Sequence, residues 1–311
     1  MSATTNPAYP TVTSARDGSD HLTFNIYGYD PSLAAAIVYI LVFSLITIVQ
    51  TVQVGRSRIW WLSVLVVGGL GEIIGWAGRL WAAKNPYSLN GFLTQIICLI
   101  LAPCFFSATI YGILGMIVRA IGPQYSAIRP WAYLALFCTA DLIAIVVQAI
   151  GGAKAALALK NDDSSESGTH IMVAGIAFQL FTMLCFCALG LDVWRRACKD
   201  RSYQSRPHAQ QGRLKTVSFG LVFASFWILL RCCYRVAELA EGWSGYLMTT
   251  EPYFCVLDAM AMVFAQAVFS FTWPNNEKQF EREHNTTLPG SSQDSDYTRA
   301  APVTGEKVQA V

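Results

Sequence analysis

Seven long apolar runs, separated by short polar connections, dominate the pattern of this chain. Each run has about the 20 residues that an α-helix needs to cross a bilayer. The runs are continuous and lack the alternation of apolar and polar positions that the strands of a membrane barrel need. The pattern therefore predicts an all-α integral membrane protein, a bundle of seven spanning helices at approximately 33–53, 60–83, 92–118, 131–151, 171–191, 214–237 and 252–273.

Polar segments flank the apolar runs at both ends. Residues 1–30 lack the basic and apolar regions of a signal peptide, so we expect the first span itself to target the chain. Residues 275–311 are rich in Ser, Thr, Asp and Gln, a composition typical of disorder. The expected organisation is an extracellular polar tail over 1–30, a seven-helix membrane domain over 31–274 and a disordered cytosolic tail over 275–311.

Composition strengthens the membrane interpretation and removes several functional classes. Of 311 residues, 54% are hydrophobic and 14% are charged, whereas a soluble domain carries about 25% charged residues. The net charge of +2 gives no reason to expect a nucleic-acid partner. The nine cysteines have no CxxC spacing, so a disulfide framework or a zinc site is not expected.

The absence of three motifs argues against catalysis and cofactors. All four histidines lie outside the apolar runs, which excludes the zinc-dependent seven-helix hydrolases. No GxxxxGK[ST] phosphate loop occurs, so ATP hydrolysis by that route is excluded. Span seven contains no lysine for a retinal Schiff base. We therefore expect a protein that is not an enzyme and that has no cofactor and no metal.

Lysine and arginine are distributed unequally between the two sides of the membrane. Fifteen lie in the connections after spans one, three and five and in the C-terminal tail, and four lie on the other side. Basic residues accumulate in cytoplasmic loops. The N-terminus is therefore expected outside and the C-terminus in the cytosol.

Ionisable side chains interrupt four of the runs, where each costs a few kcal/mol unless it is paired or lines a wet cavity. Pairs seven residues apart, such as Asp141 and Gln148, share one helix face. Lipid cannot solvate such a face, so we expect the polar faces to surround a cavity that reaches from mid-membrane toward the outer leaflet. The candidate substrate-binding residues from this pattern are Glu72, Arg79, Asp141, Gln148, Arg231, Arg235, Glu238 and Asp258.

The arginines of span six predict specific ion pairs. Glu238 follows Arg235 by three residues and can pair with it within one helix. Arg231 lies deeper and has to reach another helix, where Asp258 of span seven is at comparable depth. We therefore expect an Arg231–Asp258 pair. In span two, Glu72 and Arg79 are seven residues apart, which is too far along one helix for them to satisfy each other fully.

Two interpretations of the intramembrane charges stay open at this point. They form a ligand or proton site, or they are internal ion pairs that only hold the bundle together. Gly71 and Gly75 form a GxxxG pair that allows close helix packing. Pro103, inside span three, is expected to kink that helix and to free a backbone carbonyl toward the interior.

Several short motifs occur in order along the membrane part: EIIGWAGR at 72–79, LAP at 101–103, Asp141 followed by Gln148, Gly175 followed by Gln179, and RCCYRVAE at 231–238. In this order they resemble the fungal lipid-translocating exporter family, also called RTA-like proteins. The resemblance covers approximately residues 29–274. It adds Gln179 and Tyr234 to the candidate binding residues.

The resemblance implies export or flipping of sphingoid long-chain bases, resistance to toxic amphiphiles, or in some members porphyrin handling. We therefore expect a transporter of amphiphilic lipids that is not driven by ATP, in the plasma membrane, with lipids or amphiphilic small molecules as its partners. Two alternatives remain: a seven-helix lipid-responsive receptor or regulator, and an intramembrane enzyme that uses a carboxyl acid. The sequence gives no oligomeric state.

Overall fold

The computed structural model describes residues 31–85, 89–160, 166–199, 208–242 and 245–273. Both expected tails, 1–30 and 275–311, lie outside these residues. Within them the chain forms helices and turns, and no strand is present. Seven of the described helices are long and apolar enough to span a membrane. The prediction of an all-α integral membrane protein with seven spanning helices is therefore confirmed.

The spanning helices follow the predicted runs in order. A one-turn helix, Tyr246–Thr249, precedes the last of them, and a 3₁₀ turn, Trp60–Leu62, leads into the second. The seven helices are α1 Leu33–Ser57, α2 Ser63–Lys84, α3 Leu89–Ile121, α4 Pro130–Lys160, α5 Glu166–Lys199, α6 His208–Ala240 and α7 Glu251–Phe271.

Several helices continue past the ends of their apolar runs. The fifth run predicts a span that ends near residue 191, yet α5 continues to Lys199. No glycine or proline stops the helix there, and Asp192 pairs with Arg196 one turn later at 2.8 Å. Such i,i+4 pairs support an exposed helix. Hydropathy therefore locates the membrane crossing but underestimates the helix.

Helices that are neighbours in sequence pack on one another, and α1 closes the bundle against α7. The third helix lies inside this arrangement, in contact with α2, α4, α6 and α7, and is the most buried of the seven. Its side chains Phe106, Ile110 and Tyr111 are at most 1% exposed. On the periphery, Leu41 and Leu45 of α1 are more than half exposed, as a lipid-facing surface requires.

Glycines allow α2 and α3 to approach closely, as the GxxxG pair predicts. A Cβ at Gly75 would lie 2.6 Å from Cδ2 of Leu99, and a Cβ at Gly78 would lie 2.8 Å from the backbone nitrogen of Gln95. Neither position has room for a larger residue without movement of α3. The close approach brings the polar face of α2 toward the interior carried by α3.

Candidate functional site

The predicted ion pair between α6 and α7 is present. Nε of Arg231 lies 2.9 Å from Oδ1 of Asp258, and both side chains are at most 7% exposed. Nη2 of Arg231 also donates to Oδ2 at 3.4 Å. The contact is ionic but imperfectly aligned, since neither Nε nor Oδ1 has a hydrogen bond of good geometry. The prediction from depth along the two helices is thus confirmed.

A proline in α3 frees a second partner of Arg231, the backbone carbonyl of Leu99. Nη2 of Arg231 donates to the carbonyl oxygen of Leu99 at 2.6 Å. In a regular helix that carbonyl would accept from the N–H four residues later, but the residue there is Pro103, which has no N–H. The expectation that Pro103 frees a carbonyl toward the interior is therefore confirmed, and the guanidinium uses it.

The α7 end of the pair has an unusual backbone. Residues Phe254–Met260 form a π-helical segment within α7, and Asp258 lies in it. Segments of this kind are rare and occur frequently at functional sites. Sequence periodicity assumes a regular helix and does not detect this segment. The wider winding sets where Asp258 points relative to the rest of α7.

A second pair is formed within α6. Nη1 of Arg235 donates to Oε2 of Glu238 at 2.7 Å, as the i,i+3 spacing predicts. The hydroxyl of Tyr234 donates to Oε1 of the same glutamate at 2.9 Å. Nε of Arg235 also lies 3.8 Å from Oδ1 of Asp258. Asp258 therefore has two arginines within reach, which joins the two pairs into one cluster.

Arg79 pairs with a residue absent from the predicted binding residues. Its Nη2 donates to Oε1 of Glu251 at 2.7 Å, and the guanidinium lies 4.8 Å from the ring centre of Phe254. Glu251 also accepts from the backbone N–H of Ser32 at 2.9 Å, so it joins α1, α2 and α7. The seven-residue spacing of Glu251 and Asp258 was the signal that could have placed it in the site.

Glu72 is the carboxylate of this region without such a partner. Its side chain is 1% exposed. Among the described residues, no group donates a hydrogen bond to its Oε1 and no cation forms an ion pair with it. It lies near enough to Arg231, Arg235 and Asp258 to interact with them electrostatically. As predicted, it is not paired with Arg79.

Asp141 belongs to a separate polar group between α3 and α4. Its Oδ2 accepts from the hydroxyl of Tyr111 at 3.1 Å, and Oδ1 has no hydrogen bond with the described residues. The Tyr111 ring packs against Phe137 and Phe186, with ring centres 5.2 and 4.7 Å away. No described arginine or lysine pairs with Asp141, which is 4% exposed.

The two predicted glutamines lie together between α4 and α5. Nε2 of Gln148 donates to Oε1 of Gln179 at 3.1 Å, and Nε2 of Gln179 donates to Sγ of Cys104 at 3.4 Å. The structure thus separates the predicted residues into a charged cluster of α2, α6 and α7 and a polar group of α3, α4 and α5. We call the first the arginine cluster; its members are Glu72, Arg79, Arg231, Arg235, Glu238, Glu251 and Asp258. We call the second the Asp141 group; its members are Cys104, Tyr111, Asp141, Gln148 and Gln179.

The expected polar cavity is small. A cavity of about 40 Å³ lies where α2 and α6 end and α3 begins. A space of this size holds a few waters at most, whereas ligand sites are commonly about 300–1,000 Å³. This cavity is therefore too small to hold a lipid-sized ligand. Its lining includes Arg79, Gln95, Leu99, Arg235, Glu238 and Phe254.

A neutral network joins α1 and α7, and the pattern of ionisable residues does not indicate it. Gln50 donates to the carbonyl of Gln266 at 2.8 Å and accepts from its Nε2 at 2.9 Å. Both side chains are fully buried. Thr47 accepts from Gln266 at 3.2 Å, and Gln53 donates to the carbonyl of Ser270 at 2.8 Å. The network joins the ends of α1 and α7 that lie away from the arginine cluster.

The described part of the chain contains no recognisable metal site. Within it, no group of three or more His, Cys, Asp or Glu side chains could hold a metal ion. All nine cysteines are free thiols. The polar atoms of the site are those of carboxylates, guanidiniums, amides and hydroxyls, which suit a charged or hydrogen-bonding ligand.

The comparison with protein families agrees with the motifs. The family model described as "RTA1 like protein" matches residues 65–279. The chain belongs to the RTA1-like family. The match begins in α2 and runs through α7, so it includes both the arginine cluster and the Asp141 group.

Three proteins of Saccharomyces cerevisiae are similar to this chain over most of their length. The sphingoid long-chain base transporter RSB1 is 29% identical, with 79% of this chain and 72% of the relative covered. Protein RTA1 is 24% identical, with 84% and 86% covered. Protoporphyrin uptake protein 1 is 25% identical, with 79% and 91% covered. No solved structure matches.

Proposed function

We propose that this chain moves amphiphilic lipids or toxic amphiphiles of the sphingoid-base type across the plasma membrane without hydrolysing ATP, and that it thereby confers resistance to them. Two of its relatives are named for transport or uptake of amphiphilic molecules. The chain is an integral membrane protein of the same family.

The observation that carries the proposal is the state of Asp141. It is a buried carboxylate whose Oδ1 has no hydrogen-bond partner among the described residues. The arginines that could neutralise it already contact other carboxylates. An ammonium head group would supply the missing positive charge and donate to Oδ1. Gln148, two turns from Asp141 on the same face of α4, and its partner Gln179 would offer amide groups to hydroxyls of an amphiphile that extends along that face.

The acyl tail would lie against the apolar helix faces. Leu142 and Val146 follow Asp141 on α4 and are at least half exposed. A head group at Asp141 and a tail on this surface would let the amphiphile cross without complete removal from lipid. This route fits the small size of the cavity beside Arg79 and Arg235.

The test is flux in liposomes that contain only this protein. A fluorescent sphingoid base is placed in the outer leaflet, and its movement to the inner leaflet is followed by quenching without ATP. We expect the wild type to accelerate movement and Asp141→Asn to lose most of the acceleration. Asp192→Asn, which changes an exposed carboxylate of α5, is the matched control. Wild-type rates equal to those of empty liposomes would contradict the proposal.

We also propose that the N-terminus is outside and the C-terminus is cytosolic. The fifteen-to-four distribution of basic residues supports this orientation. It assigns the arginine cluster to the outer half of the bundle. A C-terminal tag accessible in unpermeabilised cells would reverse the orientation.

A lipid-responsive receptor or regulator is the second candidate. The helical extensions of α5 and α6 favour it, because α5 runs to Lys199 and α6 starts at His208, and both carry basic residues beyond the apolar runs. Partner recruitment that requires residues 192–213, without flux in liposomes, would support this candidate. Product formation without flux would instead indicate an enzyme.

A further inference from the structure

Glu72 differs from the other carboxylates of the arginine cluster in its surroundings. Its side chain is 1% exposed, and its Oε1 accepts no hydrogen bond from the described residues. The charged and titratable groups that face it are Arg231 and Arg235 of α6, Asp258 of α7 and the thiol of Cys98 in α3. None of these forms an ion pair with it.

The charges of the cluster balance only if one carboxyl is neutral. Three arginines meet three carboxylates, with closest pairs Arg79–Glu251 at 2.7 Å, Arg231–Asp258 at 2.9 Å and Arg235–Glu238 at 2.7 Å, and Arg235 also lies 3.8 Å from Asp258. Glu72 is the fourth carboxyl of the cluster. An ionised carboxylate without a counter-charge is strongly unfavourable in the membrane interior. A proton on Glu72 removes that charge.

We propose that Glu72 is a proton-binding site, occupied while Arg231 is paired with Asp258, and that release of its proton draws Arg231 from α7 toward α2. The proposal rests on the transport function proposed above and names the ion to which transport is coupled. The chemical step is a proton transfer with water: the O–H bond of the Glu72 carboxyl breaks as an O–H bond to a water molecule forms, and the reverse occurs on binding. The proton enters from the water on one face of the membrane and leaves to the water on either face.

The geometry of Arg231 suits this exchange. Its contact with Asp258 is poorly aligned, whereas its bond to the Leu99 carbonyl is short at 2.6 Å. The guanidinium can therefore pivot about the α3 carbonyl while its Asp258 contact breaks. Asp258 would not be left without a cation, because Nε of Arg235 already lies 3.8 Å from it. Ionised Glu72 then holds α2 to α6, and α7 loses a tie to α6.

Glu72 and Asp141 differ in the cation that each can bind, because the charges around them differ. An ammonium ion beside Glu72 would be repelled by Arg231 and Arg235, whereas a proton on the carboxyl leaves no charge to repel. No described arginine contacts Asp141, but the Tyr111 hydroxyl donates to it and so stabilises its ionised form, a donor that Glu72 lacks among the described residues. The head group therefore binds at Asp141 and the proton at Glu72.

Protonation of the Glu72 carboxyl is tested without any amphiphile. Infrared spectra of the full-length protein in liposomes are recorded in neutral and in alkaline buffer, because exposed carboxyls are ionised in both. We expect a protonated carboxyl band that weakens on alkalinisation and loses its Glu72 component in Glu72→Gln. Asp192→Asn, the exposed control, leaves the band unchanged. A band of equal intensity in the wild type and in Glu72→Gln would overturn the assignment.

Coupling is tested by accumulation against a pH gradient. The probe is a fluorescent trimethylammonium analogue of a sphingoid base, whose permanent charge prevents passive trapping as a weak base. If one proton exchanges for one amphiphile, one pH unit supports about a tenfold accumulation. We expect Glu72→Gln to equilibrate the probe without accumulating it.

The outcomes separate this proposal from the transport function. Downhill flux in the wild type that a pH gradient never turns into accumulation overturns the coupling and leaves the transport proposal standing. Absence of flux under every condition contradicts the transport proposal, while the infrared band still decides whether Glu72 binds a proton.

Discussion

Asp258 and Asp141 are both buried carboxylates in spanning helices, at 2% and 4% exposure, yet their surroundings are opposite. Asp258 has Arg231 at 2.9 Å and Arg235 at 3.8 Å. Asp141 has one tyrosine hydroxyl at 3.1 Å and a second oxygen without a described partner. A buried acid with its own cations stabilises the bundle, whereas a buried acid without one has capacity left for a ligand.

The contrast extends to the helices that supply the partners. Asp258 is bridged by Arg231 to α6 and, through the Leu99 carbonyl, to α3. Among the described residues, Asp141 is held by α3 alone, through Tyr111. Removal of a partner of Asp258 should therefore destabilise the bundle, whereas removal of a partner of Asp141 should impair function. The four predictions below test that difference, from the largest effect to the smallest.

Arg231→Ala should have the largest effect on stability. Removal of one partner from a buried ion pair leaves an uncompensated charge and costs about 3–5 kcal/mol. We expect low abundance and a lower unfolding midpoint in detergent. The double variant with Asp258→Ala should be less harmful than the sum of the single changes. Strictly additive free energies would show that the pair is not coupled.

Asp141→Asn should affect function and spare the fold. The amide is similar in size and can still accept from Tyr111, so the free energy of unfolding should change by about 1 kcal/mol or less. Loss of a charged hydrogen-bond acceptor should lower flux of a sphingoid base by about tenfold or more. Wild-type flux at wild-type abundance would remove Asp141 from the binding site.

Pro103→Ala should weaken the contacts of Arg231 in the arginine cluster, although Pro103 is not itself one of the charged residues. Alanine restores an N–H that bonds to the Leu99 carbonyl, in competition with Arg231. The regained helix bond offsets the lost one, so unfolding should shift by about 1 kcal/mol in either direction. We expect the coupling energy between Arg231 and Asp258 to change, measured by repeating the double-mutant cycle in this background. An unaltered coupling energy would separate the proline from the pair.

Two tyrosine variants should give the smallest effects and compare the two regions directly. Tyr234→Phe removes one of two donors to Glu238, which keeps Arg235 at 2.7 Å. Tyr111→Phe removes the only described donor to Asp141. Each should cost about 1 kcal/mol of stability, but only Tyr111→Phe should alter the apparent affinity for a sphingoid base in flux titrations. Equal affinities in both variants would contradict the division of roles.

The sequence predicts much of this architecture because bilayer thickness and charge burial impose simple rules. Apolar runs locate all seven helices, and depth along α6 and α7 predicts the Arg231–Asp258 pair. The proline rule predicts a free carbonyl, though not that Arg231 would use it. These predictions succeed since each depends on one or two helices with regular geometry.

Other contacts depend on which helices become neighbours, and spacing within one helix does not contain that information. Glu251 meets Arg79 because α1, α2 and α7 converge at one end of the bundle. Tyr111 reaches Asp141 because α3 occupies the centre. The π-helical winding around Asp258 departs from the regular period on which the sequence argument relies.

The Arg79–Glu251 pair also has a consequence for synthesis of the chain. Arg79 enters the membrane with α2, but Glu251 is translated 172 residues later, a delay of about 10–30 s at typical ribosome speeds of about 5–20 residues per second. The Ser32–Glu251 bond spans 219 residues and likewise waits for the last helix. A ribosome stall before Glu251 therefore leaves an incomplete bundle, which insertion chaperones must hold until α7 arrives. A chain truncated before Glu251 never completes the bundle, and membrane quality control must remove it.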